Sequence, residues 1–222
     1  MIKKVTIYGE RCTGTNYLES LLTKNFKTKI TWEYGHKHFF GFNDLSNSDD
    51  TLFIGIVRDP FNWLNSFYKQ PWHIPKHINE SPYNFLNKEF YSVKDLPEIN
   101  PITNNEEFMK DRNIYTKKRY KNIFELRYTK LNFLMNDMPK LVKNYIFIRY
   151  EDLLEDFENT LNNIRNKGLI VKSDNFPQNI FYYKKNKKKK FKNTNEELII
   201  SKDIIKNNKN FNLDIEKELK YI

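Results

Sequence analysis

Three groups of residues in this chain have the types and spacing that chemistry needs. His36, Lys37 and His38 stand side by side just after a candidate strand. A histidine titrates near neutrality and can move a proton, and a neighbouring lysine can hold an anion. Arg11 lies in the polar, glycine-bearing segment Gly9-Glu-Arg-Cys-Thr-Gly-Thr-Asn, and Arg58 follows an apolar run with Ser66 eight residues further on. The arginine fork matches two oxygens of a phosphate-like anion. Anion binding beside a proton acceptor is the chemistry these residues can support.

The elements that would position them are legible. Val5-Thr-Ile-Tyr reads as a strand that ends at Gly9, and Asn16–Asn25 reads as an amphipathic helix with Leu18, Leu21 and Leu22 on one face. The turn between them aims backbone N–H groups and the positive end of the helix dipole at one point, which suits a phosphate. Taken alone, the turn equally fits an ordinary strand-to-helix connection in an α/β domain. A standard nucleotide loop would place Lys after its second Gly, whereas Thr15 follows Gly14 here.

Further along, Lys27–Glu33 alternates like a strand, and Thr51–Val57 is a continuous apolar run suited to a central strand covered on both faces. Pro60 opens a helix over Phe61–Lys69, Asn144–Arg149 is a fourth strand, and Tyr150 begins a helix reaching about Asn166. Asn105–Val142 is expected to be mostly helical, as are Glu196–Asn207 and Leu213–Tyr221. Five prolines break Gln70–Pro101 into short pieces. Strand alternating with helix predicts an α/β fold with a central parallel β-sheet flanked by helices. The carboxyl ends of its strands would bring the first loop and the His36–His38 stretch together.

Composition narrows the partners without choosing one. The 222 residues suit a single domain, and a formal net charge of +10 favours an anionic partner. Met1-Ile-Lys-Lys runs straight into the first strand and no apolar run is long enough for a membrane span, so the expected location is cytoplasmic. Cys12 is the one cysteine, which rules out an intrachain disulfide.

Three stretches, in order, resemble the sulfotransferases that use 3′-phosphoadenosine-5′-phosphosulfate (PAPS). Gly9-Glu-Arg-Cys-Thr-Gly-Thr-Asn-Tyr-Leu is similar to their 5′-phosphosulfate loop. Ile56-Val-Arg-Asp-Pro-Phe-Asn-Trp-Leu-Asn-Ser is similar to their 3′-phosphate motif, and Ile148-Arg-Tyr-Glu-Asp-Leu to a later strand-to-helix segment. The resemblance implies one P-loop-like domain over residues 1–222, related in architecture to nucleotide kinases, with PAPS as sulfuryl donor and no metal. The stretch 70–129 lies outside the resemblance and reads as an acceptor-side insertion, while the basic loop at 182–192, which holds Lys184, Lys185 and Lys187–Lys190, is of a kind the family often has.

On that resemblance, Arg11, Cys12, Thr13, Gly14, Thr15 and Asn16 surround the 5′-phosphosulfate, and Arg58 and Ser66 hold the 3′-phosphate. Many members carry Lys or Arg where this chain has Cys12, so Arg11, or else Lys37, is expected to supply the missing charge. Glycan sulfotransferases of this kind have Glu-x-His-Phe-Phe after the second strand. His36-Lys-His-Phe-Phe aligns with it, so His36 falls on the base position and His38 on the second, and both stand as candidate bases, on one face if strand geometry persists. The acceptor implied is a hydroxyl, with carbohydrate as one class. Glu151 and Asp152 read as a helix cap, and Trp63 and Trp72 as core or lid aromatics.

Two other classes stay open on the residues. A divergent small-molecule kinase would need ATP and Mg²⁺, against the absent Gly-Lys-Ser/Thr. A non-catalytic binder of polyanionic glycan or nucleic acid would use the positive charge alone, without the zinc-ligand or RNA-binding signatures of familiar modules.

Overall fold

The computed structural model describes residues 1–94, 106–182 and 198–222. In chain order it contains β1 (Lys4–Tyr8), α1 (Thr15–Asn25), β2 (Lys29–Ile30), β3 (Thr51–Val57), α2 (Pro60–Lys69), α3 (Pro82–Asn87) and α4 (Ile123–Asn132). There follow α5 (Met138–Leu141), β4 (Tyr145–Arg149), α6 (Asp152–Glu155), α7 (Phe157–Arg165), α8 (Lys202–Lys206) and α9 (Leu213–Glu218). The described residues fall into two compact units. The first comes from Met1–Arg58 and Leu134–Asn195, the second from Asp59–Phe133 and Glu196–Ile222.

The first unit is a parallel sheet of order β2-β1-β3-β4 with helices packed on it. Every residue of β3 is buried, as its unbroken apolar run requires. Leu18, Leu21 and Leu22 of α1 share a core with Val5, Ile7, Leu52 and Ile54 of the sheet and with Leu161 and Ile164 of α7. That is the i, i+3, i+4 face read from the sequence. Because β2 and β3 lie on opposite sides of β1, the strand order reverses between β1 and β3. In open α/β sheets this reversal opens a ligand crevice beyond the strand ends.

Two expectations about this unit change. The alternating stretch Lys27–Glu33 yields only the two-residue β2. Thr31 N–H still donates to Val5 C=O, but the chain then turns, with Gly35 N–H on Trp32 C=O and Gly35 at φ +110°. An edge strand paired on one side can stop wherever a turn competes for its backbone groups. The helix expected from Tyr150 to about Asn166 breaks at Asp156 into α6 and α7.

The second unit is mostly helical. Asp59 caps α2 by accepting Asn62 N–H at 2.8 Å, and Pro60 sits in its first turn. Trp63 is fully buried under the Arg127 guanidinium, which pairs through two nitrogens with buried Glu216 of α9. Lys130 and Asp111 form a second buried pair at 2.6 Å. The helical expectation over Asn105–Val142 holds from Ile123 on, where α4 runs through a π-helical segment at Phe133–Asp137 into α5, and fails over the described residues before it. Asn122 caps α4, and the chain before it pairs antiparallel, with Phe90 and Tyr120 exchanging backbone hydrogen bonds. Buried Asp111 draws this segment inward and outweighs its helical pattern.

Of the helix expected over Glu196–Asn207, the first two residues lie outside the described ones and the rest gives α8, capped by Ser201. The basic residues Lys184, Lys185 and Lys187–Lys190 lie outside the described residues, as does nearly all of the 182–192 loop. Among the described residues, no helix is long and apolar enough to cross a membrane.

Candidate active site

The loop after β1 is built by its own short-range contacts. Thr13 donates both its N–H and its hydroxyl to Glu10 C=O, at 3.2 and 2.7 Å, and closes a turn in which Cys12 (φ +64°) and Gly14 (φ +93°) are left-handed. Gly14 is the N-cap of α1 and supplies no side-chain cap, so the first N–H groups of that helix have no intrahelical acceptor. A Cβ on Gly14 would collide with Cδ2 of Tyr150. The glycine therefore serves both the left-handed backbone and the close approach of that ring.

Arg58, the first residue after β3, reaches back to this loop. Its Nη1 donates to Cys12 C=O at 3.1 Å, and its guanidinium carbon lies 5.2 Å from the centre of the Tyr150 ring. The loop, Arg58 and Tyr150 come from the three stretches singled out in the sequence, and they meet at the carboxyl end of β1 and β3.

The histidine stretch packs against the same loop. Residues 36–39 make a tight turn rather than continuing a strand, with Phe39 N–H on His36 C=O at 3.0 Å. Gly9 N–H donates to Lys37 C=O at 2.9 Å, and His38 Nδ1 lies 2.7 Å from Gly9 C=O, so both sides of Gly9 tie the turn to the loop. Phe39 and Phe40 anchor it in the core, Phe40 stacking on Tyr8 at 5.0 Å. The expectation that His36 and His38 share a strand face with Lys37 pointing away does not hold. Lys37 Nζ instead bonds Asn16 Oδ1 at the start of α1 and lies 3.6 Å from Glu19.

Arg11 and Lys37 are thus arranged opposite to their ranking by sequence. The Arg11 side chain is 2% exposed, its Nε pairs with Glu10 Oε1 at 2.6 Å and its guanidinium packs over Phe39. It helps to build the loop from inside, while Lys37 carries its charge to the helix start. Thr13, expected to hold an anion through its hydroxyl, spends that proton on Glu10 C=O. Thr15 is buried in the first turn of α1.

Burial pushes the Cys12 thiol up to about 12, outweighing the nearby Arg58 and Arg11, so it is no nucleophile at neutral pH. Burial also holds the His38 ring well below the ordinary histidine range, against the opposing pull of Glu10 and its bond to Gly9.

Ser66 sits half-buried on α2 in the second unit. Glu151 provides no side-chain cap for α6, and Asp152 pairs with Arg149 instead. Sequence reasoning assigned no role to Tyr150, Glu10 or Trp32. Trp32, 42% exposed, stacks on the His36 ring at 5.6 Å. Its spacing of four from His36 was the one signal available.

Fold and site together define a parallel α/β protein with a strand-to-helix loop at the reversal point of its sheet. In its solved crystal structure complexed with PAP, mouse sulfotransferase SULT7A1 is similar to this chain with a TM-score of 0.38 and 16% identity; the match covers 77% of this chain and 61% of that one. The chain thus spans less than two thirds of that protein's length. No protein-family profile matches the sequence, and no curated protein matches it.

Proposed function

We propose that this protein is a sulfotransferase that moves a sulfuryl group from PAPS to a hydroxyl, with carbohydrate hydroxyls as the leading acceptor class. The observation that carries the reading is the hydrogen bond from Arg58 to Cys12 C=O beside Tyr150. It joins, in space, the three sequence stretches on which the resemblance rests.

The donor supplies an activated S–O bond whose bridging oxygen leaves with growing negative charge, so positioning and charge stabilisation do most of the catalysis, by analogy with phosphoryl transfer. The residues present fit such an anion. The N–H groups opening α1 face the 5′ side with the helix dipole behind them, and Lys37, held at Asn16, replaces the lysine that the loop lacks. Arg58 has donors in a planar fork for the 3′-phosphate. A histidine of the 36–39 turn removes the acceptor proton, and Gly9 fixes that turn to the loop so that base and donor keep register.

The test is calorimetric titration with adenosine 3′,5′-bisphosphate against ATP plus Mg²⁺ at two salt concentrations. Selective, metal-independent binding of the bisphosphate is the expected result. Tight ATP·Mg²⁺ binding would favour the kinase reading, and binding of any polyanion with a steep salt dependence would favour the non-catalytic one.

A further inference from the structure

Resting on the sulfuryl-transfer reading, we propose that the two histidines hold opposite tautomers and divide the work: His38 Nε2 takes the acceptor proton, and His36 Nε2–H donates a hydrogen bond to the acceptor.

The tautomers follow from what each Nδ1 touches. Gly9 C=O can only accept, so His38 Nδ1, 2.7 Å away, carries the proton. In the neutral ring the basic lone pair is then on Nε2. The backbone N–H of His38 can only donate, so His36 Nδ1, 3.3 Å from that nitrogen, is the acceptor and the ring proton is on Nε2. The same two-residue step thus presents one base and one donor, from rings 5.2 Å apart and nearly perpendicular.

The surroundings keep these roles apart. His36 is exposed and stacks on Trp32 at 5.6 Å and on Phe39 at 5.1 Å, with interplanar angles of 23° and 28°. Its ring plane is held, which suits a group that orients a hydroxyl. Burial keeps the His38 ring neutral and ready to accept. Glu10 favours the charged ring that forms afterwards, while Lys37 and His36 oppose it.

In the transfer step the acceptor O–H bond breaks and its proton goes to His38 Nε2. The oxygen electron pair forms the new O–S bond, and the S–O bond to the 5′-phosphate breaks with its electrons on the bridging oxygen. His38 ends as an imidazolium still bonded to Gly9, and His36 keeps its proton throughout.

The first test needs no acceptor. In protein labelled with ¹⁵N-histidine, long-range ¹H–¹⁵N spectra at pH 7 should show a protonated Nδ1 for His38 and a protonated Nε2 for His36. A shared tautomer would overturn the proposal.

The second uses PAPS alone and measures release of adenosine 3′,5′-bisphosphate by transfer to water. His38→Asn keeps an amide at the Nδ1 position for Gly9 but removes the base, so release should fall at least about a hundredfold. His36→Ala should lose about five- to tenfold, and His36→Gln, which keeps a donor at the Nε2 position, should recover part of that loss. Loss in His36→Gln equal to that in His38→Asn, retained activity in His38→Asn, or a wild type that binds PAPS without turning it over would each overturn the division of roles. Opposite tautomers in a protein that fails to bind the bisphosphate would instead overturn the sulfotransferase reading.

Discussion

Arg58 Nη1 donates to Cys12 C=O at 3.1 Å, bonding the end of β3 to the turn that follows β1. The contact orients the arginine and holds the left-handed Cys12 in place. It couples the two halves of the proposed donor site within one unit of the protein.

Replacing Arg58 with Ala removes this bond and the proposed 3′-phosphate contacts. A hydrogen bond to a charged group contributes about 1.5–3 kcal/mol, so affinity for adenosine 3′,5′-bisphosphate should fall at least about tenfold by calorimetry. Unchanged affinity would remove Arg58 from that role.

Lys37 and Arg11 should separate cleanly. Lys37→Ala should weaken PAPS binding while leaving the melting temperature nearly unchanged. Arg11→Ala removes the cation from the buried Glu10 carboxylate, which keeps the backbone N–H of residue 11, and breaking such a pair costs about 3–5 kcal/mol, so it should show first in denaturant unfolding. A destabilised Lys37→Ala with normal affinity would reverse the two assignments.

Gly14→Ala should destabilise the first unit. The left-handed backbone alone costs a β-carbon about 1–2 kcal/mol, and the collision with Tyr150 adds to it. In a Tyr150→Ala background the same substitution should cost less, since the ring is gone. Equal costs in the two backgrounds, measured as a double-mutant cycle, would show that the ring does not set the requirement.

The half-buried His38 ring makes a prediction about acid. Its folded-state affinity for protons lies below that of the unfolded chain, so on acidification the unfolded state binds a proton first. The stability it contributes is present above the ordinary histidine value, about 6.5, and is lost as pH falls from there toward the depressed folded value. His38→Asn should flatten that part of the stability–pH curve. A slope identical to wild type would assign it to another group.

Much of the fold was written locally. β3 occupies Thr51–Val57 and α2 opens at Pro60, as read from the sequence, because a buried central strand needs an unbroken apolar run and proline favours a helix start. The Leu18, Leu21 and Leu22 face of α1 was equally plain. Lys27–Glu33 and the first part of Asn105–Val142 misled because their patterns had competitors: a turn at Trp32–Gly35 in one case, and buried Asp111 with antiparallel backbone pairing in the other.

The sequence by itself determined the strand–loop–helix start, the central strand and the set of residues able to bind an anion and move a proton. It could do so because propensity, apolar periodicity and residue chemistry act over a few neighbours. Only the tertiary structure decided where each member of a pair lies and what it touches. Arg11 turns inward because Glu10 meets it in a buried space, Lys37 reaches α1 because the 36–39 turn hangs from Gly9, and the tautomer of His38 is set by the carbonyl of Gly9, 29 residues earlier. Those outcomes depend on burial and on hydrogen bonds between segments far apart in the chain, which residue order does not encode locally.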